Sequence, residues 1–260
     1  MAYEKELNAM IEACRKASDK IMEVYRREFK INYKSDHSPV TEADLASNQI
    51  IRNILSQFTE IGWLSEEDQD NPERFNKSML FIIDPLDGTA DFINHDDSFG
   101  INIALVKDHE PVVSVVGVPA KNSYAYAVKD EGSYYVHDSL KEKLHVSDRT
   151  ENLIMVQSLT HNLKCEDELI QRHQDKIKET IFLGASTKSI AIASGKADCS
   201  IRFTDQTKEW DLCAPQLILE EAGGMMRDLH LRPFRYNRAD VYNREGYCML
   251  NRSENSFLLD

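Results

Sequence analysis

Apolar side chains recur at helical spacing near the start of the chain. From Leu7 to Val24 they fall every three or four positions, which predicts an amphipathic helix that buries one face. After a polar loop at 32–39, a second helix is predicted from about Glu42 to Gln57. Thr41 and Asp44 have the spacing of a capping box at its start, with Asp in place of the usual Glu or Gln.

Strand-like patterns replace the helical ones between residues 61 and 136. The apolar run from Met79 to Ile83 predicts a buried strand, and Pro85 should end it because proline cannot donate to a sheet ladder. Further apolar or alternating runs predict strands at 101–106, 112–118 and 124–128. This half of the chain therefore predicts two helices packed on one face of a largely antiparallel sheet.

The second half of the chain alternates short strands with helical segments. Strands are predicted at 153–157, 181–183, 199–203 and 247–250. Helices are predicted at 166–174, at 186–194 with Gly195 at the end, and at 212–222 before Gly223-Gly224. This alternation favours α/β layers, so the predicted fold class is α+β with an α/β second half. We divide the chain into halves 1–150 and 151–260, although no flexible linker marks the boundary.

Composition limits the classes of function. Of the 260 residues, 42% are hydrophobic, which is enough for a sizeable core. The formal charge of −13 argues against binding of nucleic-acid polymers or anionic membranes, because such surfaces are usually basic. The chain has no run of about 20 apolar residues, so no membrane span is predicted, and its polar start lacks the apolar region of a signal peptide. The five scattered cysteines form no Cys-x-x-Cys pair, so we expect reduced thiols and a cytoplasmic protein.

Candidate chemistry begins at the hexapeptide Asp84-Pro85-Leu86-Asp87-Gly88-Thr89, directly after the predicted buried strand. The hexapeptide presents two carboxylates at the exit of the strand, and hard cations such as Mg²⁺ prefer oxygen ligands of this kind. Gly88 allows a tight turn, whose backbone N–H groups can face an anion. Metal and phosphate in one turn indicate metal-assisted phosphoryl chemistry. The alternative is an Asp-rich turn that only caps a strand.

Two further acidic segments add to this pattern. Glu66-Glu67-Asp68 follows a short apolar segment, and Trp210-Asp211 stands just ahead of the predicted helix at 212–222. Each segment also has a purely structural interpretation. The first could be a solvated loop, and Asp211 could be only a helix N-cap.

Taken together and in this order, the segments resemble the Mg²⁺-dependent, lithium-sensitive phosphatases. That superfamily includes inositol monophosphatases, fructose-1,6-bisphosphatases and 3′(2′),5′-bisphosphate nucleotidases. The resemblance covers nearly the whole chain and rests on Asp44, Glu66-Glu67, Asp84 to Thr89, Trp210-Asp211 and Gly223-Gly224. It implies a layered αβαβα sandwich with the active site where the two halves meet, and an activity that lithium inhibits.

Shorter segments are similar to the bacterial nucleotidase branch of that superfamily. They are Ser38 to Asp44, Leu64 to Asp68, Asn102 to Leu105, Ser158 to His161, Gly184 to Lys188, and Arg202-Phe203. This similarity implies hydrolysis of the 3′-phosphate of adenosine 3′,5′-bisphosphate, and of its 5′-phosphosulfate relative. The alternatives are an inositol or sugar phosphate monoesterase on the same scaffold, and a non-catalytic protein that binds metal or nucleotide.

The chain departs from the family pattern in three places. Ala185 replaces a common Ser, Asp97 stands where a Gly is common, and Cys213-Ala214-Pro215 replaces a small Ala-Ala-Gly segment. Pro215 is acceptable if it lies in the first turn of a helix, where its missing N–H is not needed. None of these changes removes an expected metal ligand.

The resemblance implies two or three Mg²⁺ ions per site. Glu66, Asp84 and the backbone carbonyl of Leu86 would hold one ion. Asp84, Asp87 and Asp211 would hold a second, so that Asp84 bridges the two. A third, weaker ion could lie near Glu66. Clustered carboxylates repel one another without cations, so the site is expected to depend on metal.

The resemblance also implies catalytic roles for residues beside the metal site. Thr89 and Asp44 would orient and deprotonate the attacking water, because an ionised Asp accepts from the Thr hydroxyl, which in turn accepts from the water. Backbone N–H groups of Gly88 and Thr89 would hold the departing phosphate. Glu67 would support the loop or a water on the metal, and no phospho-enzyme intermediate is expected.

Substrate contacts are expected from the second half of the chain. Lys188 and Arg202 would contact the second phosphate, which needs cationic partners, unless they are ordinary surface charges. Ser186 lies in the same loop as Lys188 and is expected among these contacts. His161 would contact the ribose or base, or else only pack and donate one hydrogen bond. The expected partner is a small phosphorylated molecule, and the family analogy allows either a monomer or a homodimer.

Overall fold

The computed structural model describes residues 3–34 and 36–259, and within these ranges it contains six α-helices and fourteen β-strands. The helices are α1 (Glu4–Tyr25), α2 (Glu42–Leu55), α3 (Thr89–Ile93), α4 (Lys164–Arg172), α5 (Thr187–Ala193) and α6 (Glu209–Glu220). The strands are β1 (Ile31–Tyr33), β2 (Pro39–Thr41), β3 (Gly62–Ser65), β4 (Met79–Asp87), β5 (Gly100–Lys107), β6 (Glu110–Val118), β7 (Ser123–Val128), β8 (Gly132–His137), β9 (Leu140–Lys143), β10 (Leu153–Ser158), β11 (Ile177–Leu183), β12 (Cys199–Arg202), β13 (Met225–Arg227) and β14 (Tyr247–Leu250). None of the described helices is both long and apolar enough to cross a bilayer.

The first half of the chain forms a seven-stranded sheet in the order β3-β4-β5-β6-β7-β8-β9. Only the β3–β4 pair is parallel among these neighbours, and the others are antiparallel. Helices α1 and α2 bury their apolar faces on this sheet, in a core that includes Met10, Ile51 and Ile83. The predicted pair of helices on a largely antiparallel sheet is therefore confirmed.

The opposite face of the same sheet is also covered. Ile82 and Val116 point into a second core, where they meet Leu217 and Ile218 of α6 and Ile192 of α5. Neighbouring residues of β4 thus enter different cores, because successive side chains of a strand point to opposite faces. Burial on both faces explains why β4 is a continuous apolar run rather than an alternating one.

The second sheet has five strands in the order β11-β10-β12-β14-β13. Its inner face joins the core of α5 and α6 through residues such as Val156 and Met249. Its outer face packs on α4 around Leu153 and Leu169. The layers are therefore two helices, seven strands, two helices, five strands and one helix, which is the expected αβαβα sandwich.

The predicted division at residue 150 stays a prediction. The seven-stranded sheet uses residues 62–143, and the five-stranded sheet uses residues 153–250. Strands of the first half and helices of the second half share one hydrophobic core between the two sheets. The helices that fill this middle layer therefore bind the two halves together.

Pro85 does not end its strand, contrary to the sequence prediction. The pairing of β4 with β5 runs from Asp84 opposite Asn102 to Asp87 opposite Gly100, so one extra residue bulges out of β4 between these pairs. Pro85 lies in this bulge, where the strand needs no ladder N–H from it. The strand can therefore continue as far as Asp87.

Helix α6 begins earlier than predicted, at Glu209, so Trp210 and Asp211 lie in its first turn and not ahead of it. The backbone N–H of Lys208 donates to the Asp211 carboxylate at 2.7 Å, which fixes this start. Pro215 consequently lies in the interior of the helix, and the expectation that it occupies the first turn is wrong. Its missing N–H leaves the helix without one bond to the carbonyl of Asp211.

Candidate active site

The bulge in β4 determines how the hexapeptide presents its two carboxylates. Residues three apart in a regular strand point to opposite faces. Asp84 and Asp87 pair with Asn102 and Gly100, which are only two residues apart, so the extra residue brings both Asp side chains to one side. Gly88 follows with a φ of 88°, a conformation that favours glycine, and α3 begins at Thr89.

Three carboxylates from separate elements meet at the end of β4. Oxygens of Glu66, Asp84 and Asp211 all lie within 4.8 Å of one another. Glu66 follows β3, and its N–H donates to the Ile83 carbonyl at 3.2 Å, so the parallel β3–β4 pair carries it to this place. Asp211 comes from the first turn of α6. The resemblance assigned Glu66 and Asp211 to different ions, yet both lie beside Asp84.

Asp87 is held by groups from the neighbouring strand and from the second half of the chain. Its carboxylate accepts from the Asn102 amide at 3.1 Å and from the Ser186 backbone N–H at 2.7 Å. The Asn102 amide also approaches the Trp210 carbonyl at 3.3 Å, next to Asp211. Ser186 therefore orients an expected metal ligand through its N–H, while its hydroxyl lies buried against Gly100.

Burial and mutual repulsion disfavour the charged forms of these carboxylates. Burial, followed by the charges of Glu66, Asp87 and Asp211, raises the pKa of Asp84 well above its ordinary value. The pKa of Asp211 is raised in the same way, first by burial and then by Glu66 and Asp87. Burial also raises the pKa of Asp87, although the nearby charge of Lys188 opposes this shift.

The donor set fits a hard divalent cation. Carboxylate oxygens are the preferred ligands of Mg²⁺, and a cation among them would favour the charged forms that burial and mutual repulsion disfavour. The Leu86 carbonyl oxygen is the other expected ligand, and it lies 3.3 Å from the Thr89 hydroxyl oxygen. The division of these residues between two or three ions stays a prediction.

Thr89 and Asp44 lie in direct contact, as the resemblance implied. The Thr89 hydroxyl donates to Asp44 Oδ1 at 2.9 Å. The other oxygen, Oδ2, accepts from the Thr41 N–H at 2.8 Å and from the Thr41 hydroxyl at 2.7 Å. These bonds confirm the predicted capping box and fix the carboxylate at the start of α2. Burial raises the pKa of Asp44, although the bonds from Thr41 and Thr89 oppose it.

Lys34 connects Glu67 to the metal-ligand candidates. Its ammonium lies 2.6 Å from Glu67 Oε1 and 2.9 Å from Glu66 Oε1. Burial would lower the pKa of Lys34, but the two carboxylates raise it above its ordinary value. Burial raises the pKa of Glu67 to about 7, although the bond from Lys34 opposes the shift. Glu67 therefore anchors the segment between β1 and β2 beside the acidic cluster.

Lys188 and Arg202 are buried, so they are not ordinary surface charges. Burial lowers the pKa of Lys188 to about 8, although the charge of Asp87 opposes the shift. No carboxylate oxygen in the described ranges lies within 4.0 Å of the Lys188 ammonium. Arg202, in contrast, donates through Nη1 to Glu166 Oε2 at 2.9 Å. The two cations therefore differ, because only Arg202 has its charge neutralised by a direct partner.

His161 is exposed, and its backbone carbonyl accepts a bond from Arg202 Nη2. Its imidazole makes no hydrogen bond to any residue that the structure describes. The interpretation in which His161 packs and donates one hydrogen bond is therefore not supported. A contact with ribose or base stays a prediction.

No role was predicted from the sequence for three residues that organise the site, although Asn102 lies in a segment similar to the bacterial nucleotidases. They are Lys34, Asn102 and Glu166. Lys34 and Glu66 are 32 positions apart in the chain, and Glu166 and Arg202 are 36 apart. No local spacing signals such pairs, because they form only when separate layers pack together.

Comparison with known proteins agrees with this geometry. A model of the inositol monophosphatase family matches residues 2–255. The 3′(2′),5′-bisphosphate nucleotidase CysQ of Aggregatibacter actinomycetemcomitans is 34% identical over 248 residues, which cover 94% of this chain and 91% of that protein. These matches span both halves of the chain and all the expected site residues.

Solved structures with the same fold include two that are also similar in sequence. CysQ from Bacteroides thetaiotaomicron, described as a bacterial member of the inositol monophosphatase family, superposes with a TM-score of 0.85 at 30% identity, over 97% of this chain and 99% of that one. An inositol monophosphatase from Zymomonas mobilis has a TM-score of 0.80 at 27% identity, over 100% and 98% of the two chains. Because the family model spans nearly the whole sequence and the layers and acidic cluster agree with it, this chain belongs to the inositol monophosphatase family of phosphatases.

Proposed function

We propose that this protein hydrolyses the 3′-phosphate of adenosine 3′,5′-bisphosphate, and also of its 5′-phosphosulfate relative, with Mg²⁺ as cofactor. The observation that carries the proposal is the buried ammonium of Lys188, which has no ion-pair partner among the described residues and lies close enough to Asp87 to feel its charge. A buried charge without a partner is unfavourable, so the site is better suited to a ligand with a second anionic group. The relatives that carry the name 3′(2′),5′-bisphosphate nucleotidase support the same substrate class.

Glu66, Asp84 and Asp211, with Asp87 and the Leu86 carbonyl, are the residues that would hold Mg²⁺, as two or three ions. When bound, Mg²⁺ makes a water molecule more acidic and neutralises charge that develops on the phosphate oxygens. The protein's own contribution is to hold these oxygens together before the cation arrives. Burial, and after it the charges of the neighbouring carboxylates, raises the pKa values of Asp84 and Asp211, so this arrangement is unfavourable for the charged forms without a cation.

Thr89 and Asp44 are proposed to receive a proton from the attacking water. The Thr89 hydroxyl proton points to Asp44 Oδ1, so the lone pairs of Thr89 Oγ1 remain available to accept from water. As the water loses its proton to Oγ1, the original hydroxyl proton can move to Asp44 Oδ1. The bonds from Thr41 to Oδ2 keep Asp44 fixed during this transfer.

The turn at Gly88 and Thr89 is proposed to hold the departing phosphate through backbone N–H groups. A side chain at Gly88 would be unfavourable, because its φ of 88° is strained for other residues and its Cβ would lie 3.1 Å from the Ala185 Cβ. The turn at Gly88 and Thr89 thus packs closely against the 184–186 loop. Hydrolysis in this arrangement proceeds mostly through positioning and electrostatics, without a phospho-enzyme intermediate.

The second phosphate is proposed to bind beside Lys188 and Arg202. Lys188 supplies the net positive charge, because Glu166 already neutralises Arg202. Arg202 still has guanidinium N–H groups beyond the two that donate to Glu166 and His161. We therefore assign electrostatic attraction to Lys188 and directed hydrogen bonds to Arg202, with Ser186 and His161 nearby in the same region.

The proposal is tested by measuring phosphate release with Mg²⁺ from adenosine 3′,5′-bisphosphate and from inositol 1-phosphate at equal low concentrations. A preference of about 100-fold for the nucleotide, roughly 2.7 kcal/mol of transition-state discrimination, is the expected result. Equal rates, or faster release from inositol 1-phosphate, would refute the nucleotide assignment and leave only the metal site as described.

An inositol or sugar phosphate monoesterase is the second candidate. It is favoured by the likeness to the Zymomonas mobilis inositol monophosphatase over the whole chain. This function needs no second anion site, so it leaves the buried ammonium of Lys188 without a role. A non-catalytic binding protein is disfavoured, because simple binding does not require the complete set of expected metal and proton-transfer residues that this chain retains, Asp44, Glu66, Asp84, Asp87, Thr89 and Asp211.

A cytoplasmic location is part of the proposal. The five cysteines form no disulfide within the described residues, and four of them, Cys14, Cys199, Cys213 and Cys248, are buried. Free thiols are typical of reducing compartments. The assembly is proposed to be a monomer or a homodimer, which sedimentation would distinguish.

A further inference from the structure

Glu166 is a fully buried carboxylate outside the acidic cluster, and the proposed reaction does not use it. It lies in the first turn of α4, and its Oε2 accepts from Arg202 Nη1 at 2.9 Å. The same oxygen accepts from the Leu163 backbone N–H at 3.5 Å. A single carboxylate therefore contacts both the end of β12 and the loop that leads into α4.

Arg202 completes a connection between these two elements. Its Nη2 donates to the backbone carbonyl of His161, while its Nη1 bonds to Glu166. The guanidinium is thus fixed on two sides, and the segment from His161 to Leu163 is fixed with it. Only 6% of the Arg202 side chain and none of the Glu166 side chain are exposed.

Stability alone does not explain this pair. A buried ion pair loses hydration that its mutual attraction repays only in part, so apolar residues of similar size are often as stable. Lys188 is buried near enough to Arg202 that the guanidinium charge, after burial itself, helps to lower the pKa of its ammonium. A fixed guanidinium beside an unpaired ammonium is the arrangement that orients an anion with directed hydrogen bonds.

We propose that Glu166 is a positioning residue, which holds Arg202 and the His161 segment in the orientation that binds the second phosphate of the substrate. The inference rests on the proposed function. It goes beyond that function because Glu166 itself touches neither the reacting phosphate nor the second one. Its carboxylate acts only through the guanidinium of Arg202 and the backbone of the 161–163 segment.

The test compares KM and kcat for adenosine 3′,5′-bisphosphate and for adenosine 3′-monophosphate, which has the same reacting phosphate without the second one. In Glu166→Ala, KM for the bisphosphate should rise by about tenfold, with kcat nearly unchanged and with no effect on the monophosphate. Glu166→Gln keeps an acceptor for Nη1 and should recover most of the affinity. An unchanged or lowered KM for the bisphosphate in Glu166→Ala would overturn the proposal.

A matched control separates positioning from general stability. Asp198 is also fully buried and accepts from Arg149 at 2.8 Å, just before the opposite end of β12. Asp198→Ala should lower the melting temperature without changing the ratio of the two KM values. If Glu166→Ala does not fold, Glu166→Leu replaces it, because it fills similar space without an acceptor for Nη1, and a KM for the bisphosphate equal to that of the parent then overturns the proposal.

A double-mutant cycle tests whether Glu166 acts through Arg202. In the background of Arg202→Ala, the added Glu166→Ala change should have no further effect on KM for the bisphosphate. Additive effects would show that Glu166 acts independently and would contradict the assignment.

Measurements on the parent enzyme distinguish failure of the proposed function from failure of the role of Glu166. If the parent does not prefer the bisphosphate to the monophosphate, the proposed function is wrong and the role of Glu166 falls with it. If the parent prefers the bisphosphate and Glu166→Ala keeps that preference, only the role of Glu166 is wrong.

Discussion

Replacing Lys188 by Met should stabilise the metal-free protein while weakening its proposed second-phosphate site. Lys188 is 6% exposed, and its pKa is lowered from 10.5 to about 8, first by burial. The fold therefore disfavours the charged ammonium relative to the unfolded chain. Met has a similar length and no charge, so it removes this penalty and retains most of the packing.

The magnitude follows from the shift in pKa. Each pKa unit corresponds to about 1.4 kcal/mol, so the shift of Lys188 corresponds to roughly 3 kcal/mol of lost stability. The free energy of unfolding should rise with pH, because Lys188 is a base whose pKa is lower in the folded state than in the unfolded chain. The penalty is fully present below pH about 8 and is relieved as the pH rises from about 8 to 10.5. The difference between Lys188→Met and the parent should shrink over the same interval.

The assay is urea unfolding in the presence of a chelator, at pH 7 and at several values up to pH 10. Lys34→Met is the matched control, because Lys34 lies in the same site but has two carboxylate partners and a raised pKa. Lys34→Met should lower the free energy of unfolding, since it leaves Glu66 and Glu67 without their cation. The two lysine variants should therefore shift stability in opposite directions.

Destabilisation of the metal-free protein by Lys188→Met would refute this reasoning. It would mean that the ammonium has a favourable partner and is not held for an anion. In the Mg²⁺-loaded enzyme, the same variant should raise KM for adenosine 3′,5′-bisphosphate by about 10- to 100-fold, the range expected for one charged hydrogen bond. A KM equal to that of the parent would remove Lys188 from the second-phosphate site.

Three further predictions concern the acidic cluster and the turn beside it. Thr89→Ala should lower kcat at least about 100-fold, because the proton path to Asp44 is lost, whereas Thr89→Ser should keep most activity in phosphate-release assays. Asp84→Asn should abolish activity yet raise the melting temperature of the chelated protein at pH 7. The pKa of Asp84 is higher in the folded protein than its ordinary value of 3.8, so at pH 7 the fold carries a penalty for the charged carboxylate that Asn removes. A lower melting temperature would contradict this sign. Gly184→Ala should destabilise the fold by about 1–3 kcal/mol, because its Cβ would overlap Asp91 Oδ2 and lie 2.6 Å from the backbone carbonyl oxygen of Ser98; an unchanged urea midpoint would show that the loop can move aside.

Local patterns in the sequence were sufficient for most of the fold. The helical spacing from Leu7 to Val24 and the apolar runs of β4 to β7 predict elements that the structure contains. Such patterns predict elements correctly because the spacing of apolar residues along a helix or strand shows which of its faces is buried. The ends of elements were less certain, as with α6, whose start depends on a bond between the Asp211 side chain and the backbone of Lys208.

The order of the acidic motifs was also sufficient to predict the family and the candidate metal ligands. Asp84 and Asp87 are three positions apart in one strand, so the sequence brings their backbones close, but the bulge in β4 decides that both side chains point to one side. The prediction that β4 ends at Pro85 was wrong. Pro85 lies in a bulge where the sheet needs no N–H from it, and this bulge is evident only from the pairing with β5.

Tertiary structure alone decided how the charged residues are paired. Sequence alone does not distinguish the cations Lys34, Lys188 and Arg202. Within residues 3–34 and 36–259, packing brings two carboxylates to Lys34, one carboxylate to Arg202 and none within ion-pair distance of Lys188. Side-chain identity sets the sign of a charge, but burial and partners from distant segments set its energy. The motifs thus determine the chemistry that the site can perform, and the packing of the layers determines which cation remains free to meet a substrate.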